Sequence, residues 1–174
     1  MTNGAAENTH LEIERRFLIA KPDESILMSL SGADYTDIEQ TYLVGEPGTT
    51  ERVRRRGKEG RYVCTHTIKT RLSSMTHRET ESEITHEEYC QLLTRRDIGR
   101  NQILKRRYTL PHAGLVFEID LFPFWEKQAI MEVELNSENT QVSLPEAIHI
   151  LREITGNRAY SNAALAAAVP AEDK

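Results

Sequence analysis

Ionised residues in this chain recur at a spacing of two, and most runs keep to one sign. Glu12 and Glu14 lead to Arg16; Arg52, Arg54 and Arg56 form a run; Glu79, Glu81 and Glu83 form another. Lys105 with Arg107, Glu118 with Asp120, and Glu132 with Glu134 repeat the pattern. A period of two belongs to the β-strand, whose successive side chains point to opposite faces. The positions in between are largely apolar: Leu11, Ile13 and Phe17; Phe117, Ile119 and Leu121; Met131, Val133 and Leu135. Each segment therefore has one ionised face and one face fit for packing.

Strands are predicted over Leu11–Ala20, Ile38–Val44, Thr50–Lys58, Tyr62–Thr70, Arg78–Thr85, Gln102–Leu110, Leu115–Phe122 and Ala129–Asn136. The turns Lys58-Glu59-Gly60 and Pro111-His112-Ala113-Gly114 read as hairpin connections. An even set of eight strands can close into an antiparallel barrel and leave no edge. Short helices are predicted over Pro22–Leu30, Thr85–Ile98, Ser143–Thr155 and Asn162–Val169. Thr85 with Glu88, and Ser143 with Glu146, have the spacing of a capping box. The fold class is mainly β, α+β by content: a closed eight-stranded barrel flanked by short helices. With 174 residues and no internal linker, one domain is expected over 11–169, between polar tails at 1–10 and 170–174.

Two arrangements suit strands of this kind. Either the ionised faces are the solvated outside of an ordinary small barrel, as most charged faces are, or the sheet closes with them inward around a polar tunnel. Like charges crowded along one strand repel, so sign sorting makes sense where something neutralises each set. Divalent cations neutralise carboxylates, and a polyanion neutralises arginines and lysines. A polyphosphate bound with metal ions does both.

The order of these motifs resembles the CYTH family, also called triphosphate tunnel metalloenzymes. Glu12-x-Glu14-x-Arg16 is similar to the family's opening Glu-x-Glu-x-Lys, with arginine in place of the commoner lysine. Arg52-Val53-Arg54, Lys69, Glu81-Ser82-Glu83, Lys105-Arg106-Arg107, Glu118-Ile119-Asp120, Glu132-Val133-Glu134 and the closing Tyr160–Ala166 follow in the family's order. The short form is most similar to small bacterial members of the inorganic tripolyphosphatase type. The resemblance implies a charged tunnel that binds Mg²⁺ or Mn²⁺, two ions in the active complex, and a triphosphate or nucleoside triphosphate.

Carried over residue by residue, it implies a metal set of Glu12, Glu14, Glu81, Asp120, Glu132 and Glu134. It implies a phosphate clamp of Arg16, Arg52, Arg54, Lys69, Lys105 and Arg107. Lys105 is either a base for the attacking water or one more phosphate ligand. Arg15, Arg55, Arg78 and Arg106 have the opposite parity and are expected to face out. The expected reaction is hydrolysis of inorganic triphosphate to pyrophosphate and phosphate. Nucleoside triphosphatase, thiamine triphosphatase, adenylate cyclase and a non-catalytic polyphosphate or nucleotide sensor remain alternatives.

The net charge of −5 argues against bulk binding of nucleic acid. No apolar run has the length of a membrane span, and residues 1–10 lack an apolar signal core. Cys64 and Cys90 have no ligand spacing, so a cytoplasmic chain with free thiols is expected; a homodimer is among the expected assemblies. The six histidines show no ligand spacing. Trp125 lies beyond the seventh strand and suits packing better than service as a base-stacking platform.

Overall fold

The computed structural model describes residues 8–173, so most of the expected N-terminal tail, residues 1–7, lies outside the described residues. The strands are β1 (Asn8–Ala20), β2 (Asp34–Leu43), β3 (Thr49–Lys58), β4 (Arg61–Arg71), β5 (Thr76–Ile84), β6 (Ile103–His112), β7 (Leu115–Leu121), β8 (Gln128–Leu135) and β9 (Ile150–Glu153). The helices are α1 (Glu24–Ser29), α2 (His86–Leu92) and α3 (Asn162–Ala167). Every strand pair is antiparallel, in the order β5-β4-β3-β2-β6-β7-β8-β1, and pairing of β5 with β1 closes eight strands into a barrel. Two tight hairpins set register. Glu59 and Gly60 both have positive φ between the paired Lys58 and Arg61, and Ala113 and Gly114 do the same between His112 and Leu115. That is the signature of loops whose twist matches the strands.

The expected helix over Ser143–Thr155 is not formed. Its N-terminal half is an irregular strap with a turn at Pro145–Ile148, and its C-terminal half is the extra strand β9. The reason lies in β1. Among the described residues only Asn8–Ile13 pair with β5, which leaves backbone groups on the rest of β1's edge needing partners. β9 supplies them along Phe17–Ile19, while Val142, Leu144, Ile148 and Ile150 pack beneath. Tertiary burial outweighs a capping pattern worth about 1 kcal/mol. The Thr85–Glu88 capping box does form, but α2 stops at Leu92 and gives way to a 3-10 turn over Leu93–Arg95.

The apolar faces point outward and are covered. On one flank, Phe17, Ile119, Met131 and Val133 pack under Leu27 of α1 and the strap. On the other, Val53 and Cys64 pack under Tyr89 of α2. A third cluster plugs one end of the barrel: Leu18, Tyr42, Ile103, Phe122 and Ile130 point inward and meet Trp125, Tyr160 and Leu165. Trp125 is a packing residue, 1% exposed, with its Nε1 donating to the Pro170 carbonyl at 3.2 Å. Among the described residues no helix is long and apolar enough to cross a membrane.

Candidate active site in the barrel

The inward side chains run from charged at the open end to apolar at the plug. On β1 the sequence is His10, Glu12, Glu14, Arg16, Leu18; on β8 it is Glu134, Glu132, Ile130. Around the barrel the charge divides into two arcs. The neighbouring strands β7, β8, β1 and β5 turn in Glu118, Asp120, Glu132, Glu134, Glu12, Glu14, Glu79 and Glu81, with Arg16 of β1 set among them. The neighbouring strands β4, β3, β2 and β6 turn in Lys69, Arg52, Arg54, the uncharged Gln40 and Tyr42, and then Lys105 and Arg107. Between the arcs lies a cavity of about 760 Å³, a size typical of small-molecule sites. It is bounded on one side by the segment from Gly156 to Ala167.

The layer next to the plug is a closed lattice of ion pairs. Lys105 Nζ donates to Asp120 Oδ2 at 2.5 Å and to Asn162 Oδ1 at 3.3 Å. Arg107 grips Asp120 with Nε and Nη2 at 2.6 and 2.7 Å, donates to Glu132 Oε2 at 2.9 Å, and touches Glu118 through Nη1. Arg16 donates to Glu132 Oε1 at 2.8 Å and to the Tyr160 carbonyl at 2.6 Å. Burial pushes the Glu132 carboxyl up, but Arg16 and Arg107 more than reverse this and hold it well below the usual range. Burial and the neighbouring Arg107 push the Lys105 ammonium down to about 8.

Nearer the open end the charges are less well matched. The Lys69 ammonium touches Glu12 and lies 4.0 Å from Glu14 and 3.8 Å from Glu79. Glu12 is thereby held below its ordinary value against the opposing effect of burial. Glu14 is pushed up to about 7 by burial and by Glu132, with Glu12 adding to the effect. Glu134 is also raised, by burial and by Glu12. Glu81 accepts from Thr67 Oγ1 at 2.9 Å. Arg52 reaches Glu79 at 3.5 Å, and Arg54 Nε donates to Gln40 at 3.3 Å.

The residues present fit a divalent cation. One donor atom each from Glu12, Glu14 and His77 lies within 4.8 Å of the other two. Three donors of this type suit a partly hydrated divalent ion. His77 Nδ1 is buried without a hydrogen-bond partner among the described residues. Burial and Lys69 push the ring down to about 4, so it is neutral at pH 7, as a ligand must be.

Of the expected residues, Glu12, Glu14, Glu81, Glu132, Glu134, Arg16, Arg52, Arg54, Lys69 and Arg107 all line the cavity. Lys105 and Asp120 do not; they lie behind Arg107 in the lattice. Arg15, Arg55 and Arg106 face out and pair with Glu153, Glu39 and Asp37. No two histidines come together at the site, but His77 stands beside Glu12 and Glu14, and His10 also lines the cavity. Both belong to strands that start earlier than expected, β5 at Thr76 and β1 at Asn8. Continuing the parity of Glu79 and Glu81 back by two would have found His77. Arg56, Arg100 and Arg158 also line the cavity and carry no expected role.

The model of the CYTH domain matches residues 10–163. The solved structure of the inorganic triphosphatase NE1496 is 27% identical, with a TM-score of 0.57 over 92% of this chain and 97% of that one. A conserved protein of Pyrococcus furiosus gives 20% identity and a TM-score of 0.57, covering 74% of this chain and 80% of its own. The protein PH1012 of Pyrococcus horikoshii OT3 gives 20% and 0.54, covering 72% and 80%. No curated protein matches the chain.

Proposed function

This chain belongs to the CYTH domain family, and on that premise we propose that it hydrolyses inorganic triphosphate to pyrophosphate and phosphate with a bound divalent cation, Mg²⁺ or Mn²⁺. The observation that carries the reading is the division of one cavity into a carboxylate arc and a cationic arc. A polyphosphate alone would be repelled by the first arc, and a metal alone by the second. Together they neutralise both. The triphosphatase NE1496 shares the fold over nearly the whole chain, which supports this class of substrate.

Arg52, Arg54 and Lys69 face the cavity from one side and Arg107 from another, a layout suited to gripping a chain of phosphoryl groups at more than one point. Burial among such groups makes each contact stronger than it would be in water. Glu12 and Glu14 hold the cation, with Glu134 on the adjacent strand. When bound, it polarises phosphoryl oxygens and acidifies water. Lys105 acts through Asp120, which fixes the fork of Arg107 against the substrate. That makes Lys105 a positioning residue rather than a base at the cavity wall.

Phosphate release should be measured on inorganic triphosphate, ATP, thiamine triphosphate and pyrophosphate, each with Mg²⁺ or Mn²⁺ and with excess chelator. Hydrolysis of triphosphate above the others, abolished by chelator, is expected. Preference for an organic triphosphate would replace the substrate, and no release from any would end the hydrolase reading.

A further inference from the structure

We propose that His77 is a ligand of the cation held by Glu12 and Glu14, and that its nitrogen tilts this site toward borderline transition ions such as Co²⁺ and Zn²⁺ at the expense of Mg²⁺. This deepens the metal-dependent reading and rests on it. The geometry comes from strand pairing. His77 stands directly opposite Glu12 in the β1–β5 ladder, where facing Cβ atoms lie about 5 Å apart. Glu14 is the next inward residue on β1. One donor atom from each of the three falls within 4.8 Å of the others. Bonds of roughly 2.0–2.2 Å to one ion would bring donors to about 3–4 Å apart, so small side-chain rotations suffice.

The ring has no competing occupation. A buried polar atom left unpaired is costly, yet His77 Nδ1 has no hydrogen-bond partner among the described residues. The pair of carboxylates already draws a cation, since the Lys69 ammonium rests against Glu12. An all-carboxylate site favours hard ions, whereas imidazole favours the later first-row metals and zinc. An imidazole beside the two carboxylates therefore changes which ion is held best.

The test uses metal-free protein without substrate. Calorimetric titration with Mg²⁺ and with Co²⁺ compares the wild type with His77→Phe, which keeps a ring and removes the donors. Loss of the nitrogen is expected to weaken Co²⁺ at least about tenfold and to change Mg²⁺ by less than about twofold. Should the variant fail to fold, spin-echo EPR of Mn²⁺ on the wild type gives an independent readout, with coupling to an imidazole nitrogen expected. Equal affinity of variant and wild type for Co²⁺, or a spectrum without nitrogen coupling, overturns the inference while the carboxylate site stands. Failure of the wild type to bind any of these ions overturns both.

Discussion

Glu132 and Glu14 are inward carboxylates on adjacent strands, and the barrel treats them in opposite ways. Glu132 receives Arg16 at 2.8 Å and Arg107 at 2.9 Å and is held ionised. Glu14 has Lys69 no closer than 4.0 Å and is pushed up to about 7. The first belongs to a lattice that satisfies itself, and the second to a rim with more negative charge than the protein neutralises. A carboxylate that two arginines already neutralise needs no further cation, whereas one left short of partners is placed to take one. An inward charge is therefore not by itself a site residue, and Asp120 with Lys105 shows why.

The largest effect that would break this distinction is on stability. Replacement of Asp120 by alanine leaves the buried Lys105 without its carboxylate, strips Arg107 of one of its three, and is expected to cost roughly 3–5 kcal/mol. Glu14→Gln removes a repulsive charge and is expected to leave stability equal or raised. Chemical denaturation of both variants beside the wild type checks the pair, and similar losses in both would erase the contrast.

A smaller effect concerns pH. The Glu14 carboxyl rises from 4.5 to about 7 on folding, so between those values the folded state holds a proton that the unfolded state has released. Its stabilising contribution is present below the unfolded value and is lost as pH rises through about 7, an amount on the order of 1–3 kcal/mol. In metal-free protein the wild-type midpoint should fall over this window relative to Glu14→Gln. Parallel pH profiles would show that the rim carries no unmatched charge.

The barrel was legible in the sequence because parity is a local property. Alternation in β1, β3, β6, β7 and β8 placed their charges on one face before any partner was known, and the hairpins at Glu59-Gly60 and Ala113-Gly114 announced their register through turn chemistry. Ser143–Thr155 misled because its capping pattern is also local, while the demand that overrode it, the open edge of β1, comes from the whole barrel. His77 was missed by a boundary of two residues, since an inward position is recognised only once the strand is known to reach it. The plug and the lattice could not be read at all: which inward charges find partners depends on which strands meet across the barrel. Parity put Lys105 with Glu12 and Glu14, and only the three-dimensional order separates them.

The most direct measurement is calorimetric titration of Mn²⁺ into metal-free wild type and into the Glu12→Gln/Glu14→Gln double variant. If the rim is the cation site, the wild type binds and the double variant, still folded, loses affinity by more than the roughly 10–100-fold typical of outer partners. Equal binding by the two proteins would place the cation elsewhere and contradict the reading of the unmatched rim as the working part of the barrel.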